Sequence, residues 1–457
     1  MPKKPQKTFI CTACGYIHYG SEPQEKCPVC SASKEKFKPI SDTSPEGENL
    51  LYQTGARRFV IVGAGIAGVS AAEAIRKSDP DAAIILLSNE SNLPYFRMNL
   101  TRYLAGELDS SKLDLHPMTW YTENRIDLRL DTMVIDLLPE EKTLILSDYG
   151  KIPYNTLILA VGASPFIPPF PGTELDSVLT VRTINDADTI LAACNEPIRV
   201  VCIGGGLLGL EVAGAIARRG ATVTVVESLA WLLPRQLDRH ASKMLEKKIQ
   251  EMGISIITAA QTRALVGETR VTGVQLEDGR LLPADLVVIS AGITTNLDLA
   301  RKAGLKINKG ILVDDHMRTS HADIYAAGDE CEHHGRLYGL WVPAKSQGTV
   351  AGLSAAGKDA NFPDLPPSAR LKVLGIDLFS IGRFMPQDEH DVVLSEEIDG
   401  NYASFVFHDA LMVGSNLLGD VRLASAVKTA IEAKTNYEAQ LSQGLVIADL
   451  KQLLKTK

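Results

Sequence analysis

Arg58-Phe59-Val60-Ile61-Val62-Gly63-Ala64-Gly65-Ile66-Ala67-Gly68 decides how this chain folds. The short apolar run Phe59 to Val62 has the pattern of a buried strand, and the Val-Ser-Ala-Ala-Glu-Ala-Ile after Gly68 has that of a helix. Between them lies a glycine turn. Gly63 permits a tight turn, Gly65 lets the main chain approach a pyrophosphate, and Gly68 lets the helix pack closely on the strand. An anion then sits at the helix start, where free N–H groups and the helix dipole favour it. A second apolar run ends at Leu87, and Glu90 just beyond it is either a ligand for a ribose hydroxyl or an acid on a surface loop.

The same architecture recurs 141 residues later as Arg199-Val-Val-Cys-Ile203, Gly204-Gly205-Gly206-Leu-Leu-Gly209, a helical stretch, and Ala-Thr-Val-Thr-Val-Val-Glu227. Two such motifs in one chain are far more specific than one. Glu227 at the end of the second strand suits two free ribose hydroxyls and repels a 2′-phosphate, which favours NADH over NADPH.

A third signal is Ala-Asp-Ile-Tyr-Ala-Ala-Gly328-Asp329, a short apolar strand that delivers an acid after a glycine. With Tyr154-Asn-Thr-Leu-Ile-Leu-Ala-Val-Gly162, it makes residues 58 to about 400 resemble the FAD-dependent pyridine-nucleotide oxidoreductases. The resemblance implies an α/β chain with two Rossmann-like, glutathione-reductase-type nucleotide-binding domains. It assigns FAD to Gly63, Gly65, Gly68, Glu90, Gly162, Gly328 and Asp329, with Asp329 on the ribityl chain. Ala344 is placed near the flavin's pyrimidine end, and NADH is assigned to Gly204, Gly206, Gly209, Glu227 and Gly292.

No cysteine lies between Gly68 and Cys194, so neither a redox disulfide nor a single redox cysteine beside the flavin is expected. Instead Pro94-Tyr-Phe-Arg97-Met-Asn-Leu-Thr101-Arg102 resembles the Pro-Tyr-x-Arg segment of rubredoxin and ferredoxin reductases and of the flavin half of NADH-dependent nitrite reductases. That branch implies Arg97 on the FAD diphosphate and Arg102 as a cation near the flavin, paired with Glu211. Arg102 stands where lysine is common and Thr101 where serine is common. A rigid guanidinium fork keeps the charge but changes hydrogen-bond geometry. An ordinary surface ion pair is the competing reading.

In front of all this stand Cys11-Thr-Ala-Cys14-Gly-Tyr and Cys27-Pro-Val-Cys30. Two C-x₂-C pairs separated by 12 residues supply four soft ligands for tetrahedral iron or zinc, and spacing alone does not choose between them. Gly15-Tyr16, Pro28 and Lys34-Glu-Lys-Phe37 make the segment resemble the short rubredoxin domain of rubrerythrins, which implies iron. Ser31 departs from the usual glycine, and a non-glycine residue at positive φ costs roughly 1 to 2 kcal/mol. A zinc ribbon stays open as the alternative. His333 and His334 are not expected to share a metal, because neighbours on a regular element point apart and no other ligand cluster surrounds them in the sequence.

A length of 457 residues predicts roughly three domains, and 45% hydrophobic with 22% charged residues excludes a disordered or fibrous chain. The expected order is a rubredoxin-like four-cysteine metal domain over 1–40, a linker over 41–57, an FAD-binding domain over 58–175, an NAD-binding domain over 176–295, the rest of the FAD-binding domain over 296–360, and a small α+β C-terminal domain with a helical tail over 361–457. A flexible linker of that length spans about 20 to 25 Å. Residues 1–40 carry seven lysines and three glutamates, a net +4, which leaves −12 for the rest of a chain whose net charge is −8. That asymmetry either helps the small domain dock or is a solvated lysine surface. No apolar run is long enough to span a bilayer, no signal h-region follows the first lysines, and the cysteine usage is cytosolic, so a cytoplasmic protein is expected.

Together these readings imply an enzyme that passes electrons from NADH to FAD, to tethered iron, and on to an acceptor protein such as rubredoxin or rubrerythrin. No nucleic-acid or membrane partner is expected, and the chain is read as a monomer or homodimer. The alternative is a flavoenzyme resembling NADH oxidase or nitrite reductase, with a structural zinc ribbon as an interaction module.

Overall fold

The computed structural model describes the backbone of residues 7–11, 17–20, 22–26, 32–40, 57–194, 197–363, 368–371 and 374–455. Cys14, Cys27, Cys30, Ser31 and residues 41–56 of the expected linker lie outside the described residues, and of Cys11 only the main chain is described. β1 (Lys7–Cys11), β2 (Ile17–Gly20) and β3 (Phe37–Ile40) form an antiparallel sheet in the order β2-β1-β3, with Cys11 opposite Phe37. Phe9 and Phe37 are buried. Domains this small usually need a metal or disulfide staple to fold.

β4 (Arg58–Val62) leads through the glycine turn into α1 (Ile66–Ser78) and on to β5 (Ala83–Leu87). A short helix, α2 (Leu100–Leu104), precedes β6 (Ile126–Arg129) and β7 (Thr156–Leu159). All five side chains of β5, all four of β7 and Phe59 to Val62 of β4 are buried, as in parallel strands covered on both faces; hence the continuous apolar runs.

The second nucleotide-type fold repeats this plan. β8 (Val178–Thr180), α3 (Ile184–Ala193), β9 (Arg199–Ile203), α4 (Leu207–Ala217), β10 (Thr222–Val226), α5 (Arg239–Glu251), β11 (Ser255–Ile257) and β12 (Leu286–Ile289) include a parallel sheet ordered β8-β12-β9-β10-β11. The chain then returns through β13 (Ile311–Val313), β14 (Ile324–Ala326), β15 (Cys331–His333) and α6 (Trp341–Ala355). β14 completes the first parallel sheet as β14-β7-β4-β5-β6. The C-terminal part is an antiparallel sheet of β16 (Ser368–Leu371), β17 (Leu378–Gly382), β18 (Asp391–Ile398), β19 (Asn401–His408) and β20 (Leu411–Leu418), with α7 (Ala424–Glu432) and α8 (Ile447–Lys455) in a shared core. Leu450 and Leu454 of α8 are buried in it, so the tail belongs to the domain.

Two compact units result: Met1–Phe96 with Leu113–Ala163 and Thr295–Pro363, and Arg97–Lys112 with Ser164–Thr294 and Asp364–Lys457. Residues 97–112 and 164–175 thus group with the second fold. Tyr103 Oη donates to Asp188 at 2.6 Å and Arg219 Nε to the Leu104 carbonyl at 2.7 Å, which anchors α2 to the second unit. The C-terminal sheet is pinned there as well. Asp238 caps α5, accepts from Tyr402 Oη at 2.7 Å, and donates its N–H to Asn416 Oδ1 at 3.1 Å. Among the described residues no helix is long and apolar enough to cross a membrane.

Candidate nucleotide-binding turns and a buried glutamate

The glycines of the two turns fall into the same three steric classes. Gly63 has φ +104°, and a Cβ there would lie 2.0 Å from the Ala160 carbonyl oxygen; Gly204 has φ +114°, with the Ser290 oxygen at 2.3 Å. A Cβ at Gly68 would lie 1.9 Å from Gly63 O, and one at Gly209 2.0 Å from Gly204 O. At Gly65 and Gly206 nothing lies within 4 Å. So the first glycine in each motif admits the neighbouring chain, the third lets the helix sit on its own turn, and the middle one faces open space. Gly65 and Gly206 are also the N-caps of α1 and α4, and neither cap has a side-chain hydrogen bond. Unfilled space at an uncapped helix start is where a phosphate fits.

Both strand-end acids are held in place. Glu227 is buried; its Oε2 accepts from the Gly205 N–H and its Oε1 from the Leu229 N–H, each at 2.7 Å. Glu90 Oε2 accepts from Tyr95 Oη at 2.7 Å. Ala344 is buried near the start of α6, where Trp341 stacks on Phe96 with centroids 5.7 Å apart. α6 crosses α1 closely: a Cβ at Gly348 would lie 2.1 Å from Ala67 O. Gly292, at φ +126°, also opens on free space.

The third motif contains a group that sequence reasoning missed. Gly328, at φ +113°, donates its N–H to Gln347 Oε1 at 3.0 Å, and Asp329 follows, half-buried. The next residue, Glu330, is fully buried, and its Oε2 accepts from the Gly162 N–H at 2.7 Å. Glu330 Oε1 and Gln347 Nε2 are buried without a partner among the described residues. Burial pushes the Glu330 carboxyl up to about 8, although backbone N–H donors, Gly162 among them, pull the other way. It therefore carries a proton at neutral pH and bridges two of the expected FAD turns as a neutral group.

The expected pair of Arg102 and Glu211 is not formed. Arg102 Nε bonds Glu107 Oε2 at 3.1 Å, and Glu107 Oε1 accepts from Arg218 at 2.6 Å. Glu211 instead accepts from Thr101 Oγ1 at 3.0 Å. Adjacent residues on a helix point about 100° apart, so buried Thr101 meets Glu211 of α4 while Arg102 projects to Glu107 instead. Arg97 donates to the Arg182 carbonyl. The histidines depart from expectation too: His333 and His334 stack with ring centroids 4.0 Å apart. The tight turn after β15 rotates the second ring back onto the first. The cysteine cluster, Cys11, Cys14, Cys27 and Cys30, lies outside the residues whose side chains are described.

The sequence pattern of the pyridine nucleotide-disulphide oxidoreductases matches residues 57–348. This chain belongs to that family. The pattern of the rubredoxin NAD+ reductase C-terminal domain matches residues 367–435, and that of the rubredoxin-like domain of rubrerythrin residues 9–38. A nitrite reductase [NAD(P)H] of Bacillus subtilis is 36% identical over 403 residues, covering 87% of this chain and 49% of that protein, so the chain spans about half of that relative. An NADH-rubredoxin oxidoreductase of Clostridium acetobutylicum is 31% identical over 393 residues, covering 86% of this chain and 99% of its own length. The covalent putidaredoxin reductase–putidaredoxin complex superposes with a TM-score of 0.77 at 28% identity, covering 84% of this chain and 95% of that one. Although this oxidoreductase family is named for a disulphide, the three free cysteines among the described residues are poor redox thiols. Burial pushes Cys202 up to about 12, Cys331 well above the ordinary thiol range, and Cys194 upward as well.

Proposed function

We propose that this oxidoreductase takes hydride from NADH and passes electrons through FAD to a rubredoxin-type iron centre held by Cys11, Cys14, Cys27 and Cys30, and from there to a separate electron-acceptor protein such as rubredoxin or rubrerythrin. The observation that carries this reading is the presence of a rubredoxin-like segment at 9–38 in the same chain as an oxidoreductase segment at 57–348. Bound FAD supplies the conversion of a two-electron hydride into single electrons. An iron site closed by four thiolates has no open coordination position, so it carries electrons rather than binding substrate.

The chain's own groups have separable tasks. The Gly63-x-Gly65-x-x-Gly68 turn receives the FAD pyrophosphate, with Glu90 on a ribose hydroxyl, Arg97 on the diphosphate and Asp329 on the ribityl chain. Gly204, Gly206 and Gly209 do the same for NADH. Glu227 holds two ribose hydroxyls on the lone pairs its backbone partners leave free. Glu211, steadied by Thr101, orients the nicotinamide carboxamide, and Arg102, steadied by Glu107, supplies positive charge for the reduced flavin.

Glu227→Ala is expected to raise the KM for NADH by about tenfold to a hundredfold, the weight of hydrogen bonds to a charged group, and to narrow the preference over NADPH. Steady-state kinetics with both nucleotides checks this, and unchanged selectivity removes the reason for naming NADH. Anaerobic titration with NADH tests the whole route. The flavin band should bleach first and the ferric-thiolate bands second, at a rate independent of protein concentration. Cys27→Ser should abolish the second phase and leave the first intact. A concentration-dependent second phase rejects internal transfer. Zinc in protein made with ample iron, with no iron-thiolate band, rejects the electron-carrier assignment in favour of a structural ribbon.

A further inference from the structure

β13 and β15 run parallel with Val313 beside His333, so both strands end on the same side. The chain leaving β13 returns Asp315 to His333, and the Phe362 N–H on the Asp315 carbonyl at 2.7 Å fixes that loop. Beyond β15, His333 and Arg336 exchange main-chain hydrogen bonds at 3.1 and 2.9 Å around His334 and Gly335, which have φ of +49° and +76°. Positive φ at both central residues is the type I′ geometry, and it turns two successive imidazoles toward one point. His333 Nε2 lies 2.8 Å and His334 Nε2 3.1 Å from the same Asp315 Oδ1.

One donor atom from each residue falls within a 4.8 Å cluster. Ligands about 2.1 Å from a tetrahedral metal stand about 3.4 Å apart, so small rotations of the exposed Asp315 and His334 would open this triangle to metal dimensions. Two imidazoles and one carboxylate suit zinc and its first-row neighbours, whereas calcium and magnesium favour all-oxygen sites. The His333 side chain is 1% exposed and its ring is held edge-on by Phe362 at 5.2 Å, while Asp315 and His334 are 52% and 59% exposed, which gives one rigid ligand and an entry path.

We propose that Asp315, His333 and His334 form a three-ligand site for a divalent transition-metal ion, with its remaining coordination positions open to water. In the metal-bound tautomer His333 carries its proton on Nδ1, which is buried without a partner among the described residues. Metal-bound histidines normally donate that proton to an acceptor, so a dissociation constant on the order of micromolar is expected rather than a tighter one.

The test titrates Zn²⁺ into the full FAD-loaded chain against a chromophoric chelator, alongside Asp315→Asn and His334→Asn. Both positions are exposed, and asparagine tolerates positive φ, so the fold is kept. The cysteine cluster is identical in all three proteins, so whatever metal it takes up cancels and the difference between them counts this site alone. Wild type should bind one zinc equivalent more than either variant. Equal stoichiometry in all three overturns the proposal, and loss in only one variant overturns the three-ligand set.

Discussion

Glu330→Gln raises the stability of this chain at pH 9 by a few kcal/mol and leaves it nearly unchanged at pH 4. The folded value of about 8 lies above the ordinary 4.5, because burial penalises the carboxylate more than the backbone N–H groups favour it. Well below pH 4.5 the carboxyl is protonated in folded and unfolded chains alike, and the penalty vanishes. Between 4.5 and 8 the folded chain binds the extra proton, so stability falls as pH rises; above 8 the loss is complete. Glutamine is neutral throughout. Its amide oxygen can still accept from the Gly162 N–H, so the bridge between the turn after β7 and the Gly328-Asp329 turn survives. Denaturant midpoints at pH 4, 7 and 9 measure the effect. Parallel curves for the two proteins would mean that Glu330 is ionised in the fold. Retention of FAD at pH 9 should improve in the same order, since both tied turns belong to the proposed flavin site.

Gly209→Ala and Gly206→Ala, three residues apart, should fail in opposite ways. A methyl at 209 would lie 2.0 Å from the Gly204 carbonyl oxygen, more than 1 Å inside contact distance, with Ser290 Cβ in tight contact at 3.3 Å. α4 must then lift off its own turn, at a cost of about 3 kcal/mol or more, and NADH binding is lost with it. A methyl at 206 meets nothing within 4 Å, and its φ of −79° suits any residue. Stability should change by less than about 0.5 kcal/mol. NADH affinity should nevertheless fall by more than tenfold, because the methyl fills the space assigned to the pyrophosphate. Thermal melting and NADH titration separate the two effects, with FAD content as the internal control. Normal NADH affinity in Gly206→Ala would remove the pyrophosphate from this turn.

Much of the nucleotide-binding architecture was legible because each part of it is local. A parallel strand covered on both faces must be apolar at every position, as Phe59 to Val62 is, and a turn with no room for Cβ must be glycine. Such constraints act within a few residues, so they leave a mark in the order of the letters. The places of Glu90, three residues past β5, and Glu227, directly after β10, follow from the same local pattern.

The rest depends on segments that meet only in three dimensions. Sequence shows Glu330 beside Asp329 and a natural partner in polarity; only the approach of Gly162, 168 residues away, reveals that one acid is half-exposed and the other sealed and neutral. The pairing of Thr101 rather than Arg102 with Glu211 follows from the rotation of a five-residue helix, which no spacing rule specifies. His333 and His334 were expected to diverge, and the type I′ turn brings them together on Asp315. By itself, then, the sequence determined the two nucleotide-type folds and their glycine turns, because backbone sterics are short-range. Tertiary structure decided which side chains are buried, charged or paired, because desolvation and hydrogen bonding depend on whatever distant chain arrives beside them.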